Sequence, residues 1–460
     1  MPRFLLAIFV LGMGTAHAVE PSAPPPNIVL IISDDQGPDD YSFLGHPHIK
    51  TPHIDRLASQ SLVYRRGHVP SSLCSPSLAT ILTGLYAHQH GVTSNDPPAL
   101  RVAAQAQAKA QAKVKTQAKA REKAKAQPAR DNAAYLAQRA EMIAKFTQSP
   151  TLPRLLAKQG YVSFQTGKWW GGDSSNGGFT GGMSHGDPTK GGRHGDDGLQ
   201  IGRATMKPAF DFIDQSVAAK TPFFLWYAPM MPHSPHNPPE RFLAKYRGVA
   251  PSLEIAKYWA MCEWFDETCG QLLEHLEKNK IENDTLVVYI TDNGWIQDPD
   301  ADRYAPRSKQ SPFEGGLRTP ILLRWPGRIA PAASEALASS IDLAPTLLKA
   351  AGLEPSPGMP GLDLRDEPTV RKREAIFGEI FTHNAVDLHK PSASLRFRWC
   401  IESGSNFKLI VPDPRNSPGE AVELFDLAKD PGETKNLAST EPAAVVRLRK
   451  RLEDWWPAND

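Results

Sequence analysis

Apolar residues in the first two thirds of the chain gather in short, nearly continuous runs: "NIVLIIS" (27–33), "YVSFQT" (161–166), "PFFLWYA" (222–228) and "TLVVYIT" (285–291). Such runs predict strands buried on both faces, as in a mostly parallel sheet. Helical stretches lie between them, among them "TLPRLLAKQG" and "AKYWAMCEWFDETCGQLLEHLEKN". After about residue 370 the texture changes. There "RFRWCIES", "NFKLIV" and "AVELFDLAKDPGETKNLA" predict antiparallel strands, and "PAAVVRLRKRLEDWW" a closing helix. The pattern predicts an α/β fold, with a large mostly parallel sheet between helices and a small C-terminal antiparallel-sheet subdomain.

Each apolar run is followed by a polar signature. Asp34-Asp35 follows the first, Gly167-Lys168 the second, "PMMPHSPH" the third and Asp292-Asn293-Gly294 the fourth. Ligands of parallel α/β sheets bind beyond the carboxyl ends of the strands, so these four signatures are expected to converge on one edge.

The length of 460 residues accommodates two or three domains. Arg3, the apolar run Phe4–Met13 and Ala16-His17-Ala18 read as a signal peptide over residues 1–18, which predicts an exported protein, periplasmic or secreted. No later stretch reaches the roughly 18 apolar residues of a spanning helix, so no membrane insertion is expected. Residues 27–370 are assigned to the catalytic domain and 371–460 to the C-terminal subdomain. Residues 101–130, rich in Ala, Lys and Gln, carry nine Lys/Arg and one Glu, a local +8 against a whole-chain +2. This segment has no apolar stripe to bury and reads as a solvated surface insertion; the sharper alternative is a basic arm attracted to polyanions. No nucleic-acid partner is expected. The four cysteines, Cys74, Cys262, Cys269 and Cys400, are too few for a disulfide scaffold. Cys262 and Cys269 lie about 10.5 Å apart along a helix, too far to bridge, though either could pair with Cys400.

Asp34, Asp35, Asp292 and Asn293 offer only oxygen ligands, which suits Ca²⁺ or Mg²⁺ rather than zinc. Ordinary turn and N-cap chemistry explains one such pair as well; two pairs after two buried strands favour a metal. Lys168, His233, His236 and Lys309 supply cations and imidazoles for a tetrahedral oxyanion facing that metal. Cys74 precedes Pro76 and a helical stretch. It reads either as a small buried residue or as a thiol presented at a helix N-terminus.

Together these residues resemble the sulfatase family of the alkaline phosphatase-like superfamily. The matches run in family order: "NIVLIISDDQG", "LCSPS" with "ATILTGLYAHQHGV", "LPRLLAKQGY" with "TGKW", "MPHSPH", "TDNG", "SKQSPFEGGLRTPILLRWPG" and "ELFDLAKDPGETKNLA". The resemblance implies that Cys74 is oxidised to formylglycine by a maturation enzyme. It implies that Asp34, Asp35, Asp292 and Asn293, with the modified Cys74, hold calcium, or alternatively magnesium. It implies that Lys168, His233 and Lys309 act on a sulfate ester, with Lys309 or His233 helping the leaving oxygen.

Two positions depart from the family pattern. Leu78 stands where the Cys-x-Pro-Ser-Arg motif has arginine, and Trp170 where "GKWH" has histidine. Three readings follow: an active sulfatase whose missing groups come from elsewhere, a phosphate- or phosphonate-ester hydrolase with unmodified Cys74, and a protein that binds sulfated glycans without turnover. For the first, "GGRHGDDG" offers Arg193 and His194, and His185 and His90 are further candidates.

Overall fold

The computed structural model describes residues 24–98, 133–187, 190 and 194–458. Residues 1–18, read above as a signal peptide, the basic segment 101–130 and Arg193 lie outside the described residues.

Among the described residues the main sheet has nine strands. In spatial order they are β4 (Gly181–Gly182), β3 (Val162–Gly167), β5 (Phe223–Ala228), β1 (Asn27–Ser33), β6 (Thr285–Thr291), β7 (Arg318–Arg324), β2 (Leu62–His68) and β8 (Ala332–Ser334), with β9 (Ala338–Ser339) also on β2. β1 is central and pairs in parallel with β5 and β6, in the register Ile31↔Tyr227 and Ile31↔Tyr289. Side chains alternate across a strand, and here both faces are covered. Ile28, Leu30 and Ile32 enter one core with Leu78, Leu347 and Trp399. Val29 and Ile31 enter the other with Met261, Phe265 and Leu272 of the long helix Leu253–Lys278. Burial on two sides is why these strands read as unbroken apolar runs.

One strand runs against the rest. β7 is antiparallel to both β6 and β2, which leaves β2 pointing the same way as β1. The carboxyl ends of β1, β2, β3, β5 and β6 therefore share one edge with the amino end of β7. The segment before β7, which carries Lys309, reaches that edge because of this reversal.

The second sheet is antiparallel: β10 (Ala375–Phe381), β11 (Leu395–Glu402), β12 (Phe407–Pro412) and β13 (Glu423–Asp426). The helix Pro442–Trp455 covers one face through Leu448 and Leu452. From the other face Ile376, Trp399, Ile410 and Phe425 join the core of the main sheet.

All four cysteines are free and buried, so the pairing with Cys400 considered above does not form. Cys262, Cys269 and Cys400 belong to three different apolar clusters, with Cys400 Sγ facing the Leu448 carbonyl. Among the described residues no helix is long and apolar enough to cross a membrane.

Candidate active site

The backbone continues strand pairing past the ends of the strands and so fixes the polar residues that follow. Asp292 N–H donates to the Ser33 carbonyl at 2.9 Å, and Asp34 N–H to Met231 O at 2.9 Å. Lys168 N–H donates to Ala228 O at 2.7 Å. Asp34, Asp35, Asp292, Asn293, Lys168 and His233 are thereby set side by side on one edge. Asp35 takes a left-handed φ of 62°, which reverses the chain immediately beyond β1.

Cys74 opens the buried helix Cys74–Thr83 and is 2% exposed. No side chain caps this helix from the N-cap position; instead Ser75 N–H donates to Asn95 Oδ1 at 2.9 Å. Lys309 Nζ lies 2.9 Å from Cys74 Sγ and 2.6 and 2.7 Å from the two oxygens of Asp35. Lys168 Nζ is 2.5 Å from Asp34 Oδ1 and 3.6 Å from Asp292 Oδ2. His233 Nε2 stands 3.4 Å from Asp35 Oδ2.

The ligand atoms of Asp34, Asp35, Cys74 and Asp292 all lie within 4.8 Å of one another, and those of Asp34, Cys74 and His233 form an overlapping group. Asp34 Oδ2, Asp292 Oδ2 and Asn293 Oδ1 are buried acceptors without a hydrogen bond. Buried acceptors need a partner, and carboxylate and amide oxygens are the ligands a hard divalent cation takes.

The electrostatics agree. Burial, and then the neighbouring Asp34, push Asp292 up to about 7. Burial also raises Asp34 against the pull of Lys168. For Asp35 burial acts upward, but Lys309 and His233 outweigh it and hold the carboxyl well below its usual range. Burial acts downward on Lys168, and Asp34 and Cys74 more than reverse it. Burial pushes the Cys74 thiol up. A dication among the carboxylates would oppose both burial and Asp34 and favour the ionised form of Asp292.

The other candidates sort by position. His194 stands beside His233, with the two ring centroids 5.6 Å apart. Trp169 N–H donates to the His194 carbonyl at 3.1 Å. The loop behind it lies flat on the end of β3, since a Cβ on Gly198 would sit 2.7 Å from Gly167 O. His236 is 3.0 Å from Asp302 and packs on Tyr258 and Trp295, outside the cluster of ligand atoms. His185 is exposed, with its N–H on Asp196. His90 is buried with both nitrogens engaged: Nδ1 accepts Val92 N–H and Nε2 faces Thr80 Oγ1. Leu78 is a core residue, 1% exposed. Trp170 packs on Phe146 and Trp169, and its buried Nε1 has no acceptor.

Two contributors gave no sequence signal. Asn95 caps the Cys74 helix from a separate loop. Arg203 braces the His233 loop by donating to Met230 O at 2.7 Å and to His233 O at 2.8 Å.

Comparisons with known proteins bear on the family and the fold. The family profile "Sulfatase" covers residues 26–353, and "N-sulphoglucosamine sulphohydrolase, C-terminal" covers 307–456. N-acetylgalactosamine-6-sulfatase of Canis lupus familiaris is 29% identical over 97% of this chain and 87% of its own. Arylsulfatase A of Homo sapiens is 27% identical over 98% of this chain and 90% of its own. Among solved structures, Ps i-CgsB in complex with k-i-k-neocarrahexaose superposes with a TM-score of 0.72 at 22% identity, covering 95% and 94% of the two chains. Phosphonate monoester hydrolase of Agrobacterium radiobacter gives 0.63 at 18%, covering 93% and 95%. With the edge cluster, the alkaline phosphatase-like fold and the matched profile, the chain belongs to the sulfatase family of sulfuric ester hydrolases.

Proposed function

We propose that this protein is an exported carbohydrate sulfatase that uses formylglycine made from Cys74 and one divalent cation, calcium in preference to magnesium. The observation that carries the reading is the position of Lys309 Nζ, shared between Cys74 Sγ and Asp35, whose ligand atoms lie within 4.8 Å of those of Asp34 and Asp292. The segment over residues 1–18 supports export. The name of the N-acetylgalactosamine-6-sulfatase relative supports a sulfated sugar as substrate.

Asp34, Asp35, Asp292 and Asn293 would hold the cation, which when bound polarises a sulfate oxygen and orients the nucleophile. Formylglycine at 74, made by a maturation enzyme, would add one water across its aldehyde and so present a geminal hydroxyl as that nucleophile. The chain's own residues do the rest. Lys168 and Lys309 remain charged and neutralise the sulfate oxygens, which lowers the barrier where charge builds up. Lys309, against position 74, is also placed to give a proton to the leaving alcohol oxygen. His233 Nδ1–H donates to Ser234 O at 2.6 Å, which turns Nε2 toward the site. Burial, then Lys168, hold this imidazole down to about 3, so it enters neutral and acts as a hydrogen-bonding group rather than as a base. Neither Leu78 nor Trp170 can act as a base, since an indole N–H only donates. His194, beside His233, is the group placed to accept the second hydroxyl proton when sulfate leaves.

Turnover of a chromogenic sulfate ester and of 6-sulfated N-acetylgalactosamine, before and after chelation, tests the reading. Activity lost on chelation and restored by calcium supports it. Chelator-insensitive hydrolysis, or hydrolysis of phosphate esters alone, counts against it.

A further inference from the structure

Four charged or titratable side chains are buried where the two sheets meet, and none touches the ligand cluster. Lys408 on β12 is 0% exposed, His68 1%, Glu433 2% and Glu314 9%. Lys408 Nζ lies 2.9 Å from Glu314 Oε1 and 2.8 Å from Glu433 Oε1. His68 Nε2 is 3.1 Å from Glu314 Oε2. Burying such groups is costly, and replacing them with apolar residues often stabilises a fold. Fold stability alone is therefore a weak reason for the cluster.

What the cluster holds is the segment that carries Lys309. Glu433 accepts Glu314 N–H at 2.7 Å, and its own carbonyl accepts from Arg307, two residues before Lys309. Glu433 does this from a left-handed φ of 54°, unusual for a non-glycine residue. From Glu314 the chain enters the Gly315-Gly316 turn. Gly316 O accepts Gly294 N–H at 2.9 Å, next to the ligand Asn293. Contact there is too close for side chains: a Cβ on Gly294 would lie 2.4 Å from Gly315 O, and one on Gly316 2.3 Å from Ser308 O. The same segment reaches the Cys74 turn, where Gln310 N–H donates to Ser72 O at 2.8 Å and Ser72 Oγ to Ser311 O at 2.7 Å. One short stretch thus touches the turn of a metal ligand, the turn of the nucleophile, and Lys309 itself.

We propose that Glu433 and Lys408 of the C-terminal sheet are positioning residues: through Glu314 and the Gly315-Gly316 turn they set where Lys309 and Asn293 stand. This rests on the roles given above to those two residues. Such a buttress acts at about the scale of an outer-shell partner of a metal ligand, roughly 10–100-fold in affinity or activity. Displacements of about 1 Å in a catalytic group cost a comparable factor.

The test uses the full-length, matured protein as wild type, Glu433→Gln and Lys408→Met. Three quantities are read well below the melting temperature of each: calcium affinity by calorimetric titration after chelation, kcat and KM on a chromogenic sulfate ester, and Tm. The expected result is a kcat lower by about 10–100-fold with KM little changed, and weaker calcium binding, in both variants. A lower Tm with kcat and calcium affinity as in wild type would show a merely structural cluster and overturn the proposal. Should either variant fail to fold, Glu433→Asp and Lys408→Arg keep the charges, shift the contact, and are read the same way. Wild type that neither binds calcium nor turns over would remove the functional reading itself, and this proposal with it. Normal wild type beside unaffected variants removes only the proposal.

Discussion

Lys309 Nζ stands 2.9 Å from Cys74 Sγ although 235 residues separate them in the chain. The same ammonium closes on both oxygens of Asp35, so one cation links Cys74 to the strand-end carboxylates. Lys309→Ala is therefore expected to lower kcat by about 10²–10³, the scale of losing one well-placed donor to transition-state charge. Calcium content should stay near one per chain, and steady-state kinetics with elemental analysis check both.

Asp292→Ala should abolish metal binding and activity together. Its Oδ2 is an unpartnered buried acceptor, and its Oδ1 takes Asp35 N–H at 3.1 Å and Asn293 N–H at 2.7 Å. Asp292 therefore organises the cluster as well as contributing to it. Elemental analysis of the purified variant is the check, with retained stoichiometric calcium as the contrary result.

His194→Ala should lower kcat by about 10²–10⁴, the usual contribution of a general base, with calcium content unchanged. The ring of His194 lies beside His233 on a loop fixed to the end of β3. An unaltered kcat would take His194 out of the mechanism.

His90 should make the fold acid-sensitive. Burial depresses its folded pKa to about 3 from 6.5. A depressed imidazole contributes stability above its unfolded pKa and loses it as pH falls toward the folded one. The window is therefore pH 6.5 down to about 3, with a slope of about 1.4 kcal/mol per pH unit for one proton. His90→Gln should flatten the fall of Tm across this window relative to wild type. Equal slopes in the two proteins would refute the assignment.

The main sheet was legible because its central strands are buried on both faces and so spell unbroken apolar runs. The strand-end signatures were legible for a related reason: Asp34, Lys168 and Asp292 each follow such a run directly. His233 also follows one, but nothing in "MPHSPH" distinguishes it from His236, which packs on Tyr258 and Trp295 instead. Asn95 and Arg203 were hidden because each acts through backbone groups distant in sequence, and no spacing records that. The Glu433 contact was hidden similarly: "DPGE" reads as a turn, and only the reversal of β7 brings the Lys309 segment against it. The sequence left open a pairing of Cys400 with Cys262 or Cys269; it does not form, because the three occupy separate apolar clusters.

The central claim is chemical: position 74 carries an aldehyde when the enzyme works. Trypsin cuts after Arg66 and Arg101 and releases Gly67–Arg101, which contains Cys74 and no other cysteine. The mass of this peptide, from protein purified from its native host and shown to hydrolyse a sulfate ester, is the direct test. The formylglycine mass is the expected main species. An unmodified thiol in protein that is fully active, or in protein that binds sulfated oligosaccharide without cleaving it, would contradict it.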